Sequence, residues 1–284
     1  MDGEQIPVVK LEGELMTNSQ GINKIMQFYH DANQYRDTDV IIDCYNLIWL
    51  DANLTALLNA LEHRLKIQNN IQLKADYKFL AEKFGVLFRN GWLQDDSVKI
   101  EDVQQTTIPC TSFTLDQEKD FCDYINQQLL CHRGMPVLES GIRRQIQNDL
   151  IEVYTNIYRH AQTTDPFFVS GQYYPRFGYF TFSMVDLGVG FLPPINKFTN
   201  GAVTTSKDAI EWALQGNSIS GEKLAGLGLQ SIHDYMKAHK GVFQIYTGND
   251  FWGTDLVGTI WEGHRPLQHE FQGSLLNLLF KYRS

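Results

Sequence analysis

Residues 141–161 constrain the fold of this chain more than any other stretch. Ile142, Ile146, Leu150, Val153 and Ile157 recur at helical spacing, which predicts a long helix laying an apolar stripe on a sheet. Strands for that sheet are legible downstream. FFVSGQYYPRFGYFTFSMVD, residues 167–186, reads as a hairpin with its turn near Pro175 and with strand faces that are both largely apolar. Residues 242–247 and 257–262 read as two more strands, and further helices are expected over 115–130 and from Gly226 to about His239. Between hairpin and last helix, residues 193–225 are rich in Gly, Asn, Thr and Ser, with one short helix near 208–214. Four or so strands, mostly antiparallel, with helices gathered on one side make an α+β sandwich over residues 105–266.

The first third has a different rhythm. Residues 8–15 alternate apolar and polar as an edge strand does, 21–29 is helix-like, and 39–44 is a β-branched run suited to a central strand. A helix follows through Leu54, Leu57, Leu58, Leu61 and Leu65, with Asp51 or Asn53 as its N-cap. A strand from Ile71 and a helix over 78–88 complete a small α/β sandwich over residues 1–104. The polar, acidic stretch 95–109 is the expected linker, and 267–284 the expected C-terminal tail.

Composition narrows the function classes. At 43% hydrophobic residues the chain can bury a core, and at net charge −9 it is a poor general binder of nucleic acid or anionic lipid. Cys44, Cys110, Cys122 and Cys131 form no CxxC pair, so reduced thiols are expected. The first twenty residues lack a basic and an apolar signal region, and no run approaches 18 apolar residues. The expectation is a soluble cytoplasmic protein.

Three short patterns carry chemistry. Glu152, Asn156 and His160 stand four residues apart on the long helix, so they stack along one line beside the apolar stripe. Such a set can activate a water, hold Mg²⁺ and touch a phosphate, or it can be the solvated edge of an amphipathic helix. Asp186-Leu-Gly188-Val-Gly190 follows an apolar strand, where an Asp can accept from a base and glycines admit a flat ligand. The same residues also make an ordinary turn. Gly226-Leu227-Gly228-Leu229 opens a helix whose unpaired N–H groups attract phosphate, or it ends a loop.

In this order, IEVYTNIYRHA, VDLGVGF, GLGLQSIHDYMKAHKG and, more loosely, GTIWEGHRP, the motifs resemble those of the GHKL ATPases, the Bergerat-fold nucleotide binders. The resemblance covers about residues 110–266 and implies Mg·ATP binding in a mixed sheet with helices on one face. It implies that Asn156 coordinates Mg²⁺, that Glu152 is the general base or orients water, and that His160 lies near phosphate. It further implies that Asp186 reads the adenine amino group, with Gly188 and Gly190 letting the base approach. Gly226, Leu227, Gly228 and Leu229 would wrap the phosphates, 196–225 would be a mobile lid, and Thr259, or Thr254, would join the adenine side. Lys223 is a candidate phosphate contact.

DVIIDCYNLIWLDANLTALLNALEHR resembles the strand-turn-helix of STAS domains, with Ala52 at the phosphoacceptor position. The functions implied are an ATP-dependent switch acting on a protein partner, a serine/threonine kinase of the anti-sigma type acting on a separate STAS-like partner, or a non-catalytic ATP-binding interaction protein. Hydrolysis is expected ahead of phosphotransfer, and a homodimer is compatible with either. Between linker and helix the sequence has only His132, in a CHRGMP loop, which disfavours a histidine kinase.

Overall fold

The structure, a computed structural model, describes residues 5–98, 100–219, 227–254 and 263–281. In the first third, β1 (Val8–Lys10), β2 (Gly13–Leu15), β3 (Asp39–Asp43), β4 (Leu47–Leu50) and β5 (Gln72–Lys74) form two parallel sheets, ordered β1-β3-β5 and β2-β4. The expected edge strand over 8–15 is therefore two strands in different sheets. Gly13 divides them at φ +77, a conformation that side-chain-bearing residues rarely adopt. Helix α1 (Ser19–Ala32) is capped by Asn18, whose side chain accepts from the Gly21 N–H at 2.8 Å. A 3₁₀ turn, Ala52–Leu54, leads into α2 (Thr55–Asn69). This helix is buried nearly all round because layers lie on both sides of it. The helix expected over 78–88 breaks near Phe84 into α3 (Tyr77–Lys83) and α4 (Val86–Arg89).

The remainder builds β6 (Thr107–Phe113), α5 (Glu118–Tyr124) running on into the π-helical Ile125–Leu130, and α6 (Ser140–His160). The expected hairpin is β7 (Phe167–Tyr174) and β8 (Tyr179–Asp186). Then come α7 (Leu192–Phe198), α8 (Ser206–Leu214), α9 (Leu227–Ala238), β9 (Val242–Gly253) and β10 (Gly263–Lys281). The five strands run β6-β7-β8-β10-β9, and every described pair is antiparallel, so the sheet is not mixed. The chain is thus mixed α/β, with this larger unit of the α+β class. Residues 267–281 of the expected tail lie in β10 between β8 and β9. Leu275 to Phe280 are all buried, as a strand flanked on both edges and covered on both faces must be. The strand expected at 257–262 lies outside the described residues.

Each face of this sheet has its own core. Phe182, Met184, Ile245 and Leu276 pack with Ile146, Leu150 and Val153 of α6 and Ile232 of α9. Phe168, Val185, Tyr246, Phe271 and Leu275 pack into a single cluster with Leu57, Leu58, Leu61 and the rest of the first unit. Helices of the second unit therefore cover one face, and α2 covers the other. The expected linker is folded onto the sheet: Asp102 accepts from the backbone N–H groups of Thr106 and Thr107, each at 2.8 Å, at the start of β6.

A buried polar seam joins the two layers. The Asp51 carboxylate accepts from the Thr17 N–H (2.7 Å) and hydroxyl (2.9 Å), the Trp49 indole (2.8 Å) and the Tyr174 hydroxyl (2.7 Å). Its side chain is thereby committed across the interface and makes no helix-cap bond, contrary to expectation. Asn53 donates to Ser183 at 2.8 Å, Ser183 to Asn277, and Asn277 to Gln244 at 3.2 Å. Ala52 is fully buried there, its N–H donating to Gln172 at 2.9 Å. Among the described residues no helix is long and apolar enough to cross a membrane.

Candidate functional site

The line of polar residues on α6 divides between two places. Asn156 and His160 line an open-mouthed cavity of about 140 Å³ bordered by α6, the sheet and the segment after β8. Neither side chain hydrogen-bonds another described residue, so both present polar atoms to that space. Burial, with the charge of Arg159 added, pushes the His160 imidazole below its usual range, so it is neutral at pH 7.

Glu152, one turn earlier, is placed otherwise. Its Oε2 accepts from the Gly228 N–H at 3.0 Å, so its carboxylate caps the first turn of α9, where phosphate was expected. A Cβ on Gly228 would stand 2.9 Å from the Glu152 Cβ, so this glycine also permits the close approach of α9 to α6. Next to it, Asp149 accepts from Ser231 at 2.7 Å and from Gln145 at 2.9 Å, tying the same helices. Leu229 lines the cavity, whereas Leu227 is exposed.

Asp186, at the end of β8, forms the floor of the cavity. Its Oδ1 accepts from the Gly188 N–H at 2.8 Å and its Oδ2 from the Ser274 hydroxyl. Burial pushes its carboxyl above the usual range, while Ser274, Gly188 and the Arg64 charge oppose the rise. Each carboxylate oxygen has lone-pair capacity beyond these bonds, which leaves acceptor capacity toward the cavity. Gly190 also lines the space at φ +73, and a Cβ there would stand 2.5 Å from the Thr247 hydroxyl oxygen. Gly188 lies behind the wall: its Cβ position falls 2.4 Å from the Ala161 carbonyl oxygen, and Val189 N–H bonds that oxygen at 2.9 Å. Gly188 thus joins the turn to the end of α6 rather than offering backbone to a ligand.

The described part of the expected lid, 196–219, carries α8 and the end of α7, a helix not expected from the sequence, which starts at Leu192 with Pro193 and Pro194 in its first turn. Proline suits the first turn of a helix, where its missing N–H costs nothing. Phe191 and Ile195, just before the expected lid, and Trp212 and Ile219 within it form an apolar wall of the cavity. Gly226, Thr259 and Lys223 lie outside the described residues, and Thr254 is buried beside Gln244, which donates to its carbonyl at 2.7 Å. The residue paired with Asp186 across the strands is Ser274, preceded by Gly273 at φ +140. Sequence reasoning missed it, although Gly-Ser before the apolar run LLNLLF is a signal of the same kind as the Gly-Thr chosen at 258–259.

The assembled site is an apolar slot with a fixed acceptor at its floor and an amide and a neutral imidazole at its α6 side. It suits a flat, nitrogen-rich ring carrying a polar tail. No protein-family model matches the chain, and no curated protein sequence matches it.

Proposed function

We propose that the chain is a Mg·ATP-binding regulator with a GHKL-type (Bergerat) nucleotide domain and a STAS-like first unit, and that ATP state controls its action on a protein partner. The observation that carries this reading is convergence: Asn156 and His160 of α6 and Asp186 at the end of β8 line one cavity with an apolar wall. The adenine amino group would donate to Asp186, with Met184 and Phe191 among the apolar lining available to the ring and Asn156 and His160 available to the tail.

The donor set fits a Mg²⁺ ion shared with phosphates. Such an ion keeps several waters and needs only one or two protein oxygens, and Asn156 has an uncommitted side-chain oxygen. When bound, the ion would neutralise phosphate charge. His160 can donate to a phosphate oxygen even when neutral. Glu152 would orient a water with the acceptor capacity its carboxylate keeps beyond the bond from the Gly228 N–H.

The kinase alternative requires an acceptor on a separate protein. Ala52, at the phosphoacceptor position of the chain's own STAS-like unit, has no hydroxyl and is fully buried against β7, so that position cannot take the phosphate. Titration calorimetry with ATP, with and without Mg²⁺, tests the reading. Asp186→Asn should weaken binding by about 1–3 kcal/mol, and Asn156→Ala should abolish the Mg²⁺ dependence. Unchanged affinity in both variants would refute it.

A further inference from the structure

Arg64 is a charged residue of the first unit that is 5% exposed. It projects from α2 through the interface, and its Nη2 donates to two backbone carbonyls, Leu187 O at 3.0 Å and Gln272 O at 2.6 Å. Its guanidinium lies 5.7 Å from the centroid of the Phe271 ring, and the Tyr29 hydroxyl of α1 faces it. Nε is buried without a hydrogen-bond partner among the described residues. A buried cation that leaves one donor unmatched costs the fold free energy, so the position needs a return.

The two carbonyls identify that return. Leu187 directly follows Asp186, and Gln272 precedes Gly273 and Ser274, the residues packed on Asp186. A Cβ on Gly273 would fall 2.2 Å from the Asp186 carbonyl oxygen, so these segments are already as close as backbone permits. β10 is irregular here, with register shifts on β9 between Pro266, Phe271 and Ser274. A bulged strand has no regular ladder to hold it, and one guanidinium bridging it to the β8 turn supplies the missing restraint.

We propose that Arg64 is a positioning residue of the nucleotide site, supplied by the first unit, which fixes the Asp186–Ser274 pair in the geometry that reads the base. This rests on the nucleotide reading above. The first unit is then part of the site's frame, and any partner that shifts α2 acts on base recognition from the opposite face of the sheet. The groups facing Asp186 are the Arg64 guanidinium from α2, the Ser274 hydroxyl from β10 and the Gly188 N–H, with His160 of α6 across the cavity. Without Arg64 the carboxyl is held up by burial with less opposition. The acid limb of ATP binding therefore moves to higher pH.

The test uses the full chain with Arg64→Met and Arg64→Lys, comparing calorimetric affinity for ATP with that for tripolyphosphate, which lacks the base. ATP affinity should fall by about tenfold or more in Arg64→Met and by less in Arg64→Lys. Tripolyphosphate affinity should stay within about twofold, with the ATP acid limb shifted upward in pH. If Arg64→Met does not fold, Arg64→Lys carries the same comparison. Parallel loss of both ligands, or wild-type ATP affinity and pH profile in a folded variant, overturns the positioning role. A wild-type chain that binds no ATP refutes the nucleotide reading, and the role falls with it. Variants that bind ATP as tightly as an ATP-binding wild type refute the role alone.

Discussion

Replacing Asp51 by alanine should destabilise the whole chain, because that one carboxylate satisfies four donors in the seam between the units. The Tyr174 hydroxyl, on a side chain 5% exposed, is stranded when the carboxylate goes. Leaving such a donor unmatched costs about 1–3 kcal/mol. The Trp49 indole and the two Thr17 donors are better exposed and regain water, losing only the net value of a charge-assisted bond. The sum is about 3–5 kcal/mol, since neighbouring losses do not add fully. At roughly 2–4 °C per kcal/mol the melting temperature should drop by at least about 6 °C. The added change Tyr174→Phe removes the stranded hydroxyl and should recover about 1–2 kcal/mol. Circular dichroism and denaturant titration read both quantities. The wild type should unfold in one transition, because a single apolar cluster spans both units. A shift below about 2 °C in the Ala variant, or separate melting of the first unit, would refute the seam as a structural tie.

Two further predictions follow from the α6–α9 contact. Gly228→Ala should cost about 1–3 kcal/mol because its Cβ meets Glu152, whereas Gly141→Ala, which meets nothing, should be neutral or mildly stabilising; thermal melts of the pair decide it. Asp149 has its carboxyl raised above the usual 3.8 by burial, so its contribution to stability is fully present below that value and is lost as pH rises through the folded value. Asp149→Asn should therefore gain stability relative to wild type between pH 4 and pH 7. Denaturant unfolding at both pH values checks the sign, and a relative loss would contradict the burial argument.

What the sequence made legible was local. Helix α6, the β7–β8 hairpin and helix α9 each carry a complete periodic signal within one stretch, and the Asp186 turn is marked by its own glycines. Strand β10 was not legible, because its assignment depends on partners at 179–186 and 242–253 and its early part is interrupted by bulges. Ser274 was lost with it. The seam was equally hidden, since Asp51 reads as a helix cap until Tyr174 is known to lie opposite. Arg64 reads as one more charged residue on an amphipathic helix, and only the second layer over α2 shows that its position is buried.

The most direct test of the account is to locate the bound nucleotide. Photolabelling with 8-azido-ATP and Mg²⁺, followed by peptide mapping, reports which residues lie beside the base. The account predicts label on peptides carrying Met184 to Ile195, Trp212 to Ile219 or Ser274 to Leu276, suppressed by excess ATP and reduced by Asp186→Asn. Label in the separate groove lined by Thr17, Asn18 and Thr181, or label that excess ATP does not suppress, would contradict it.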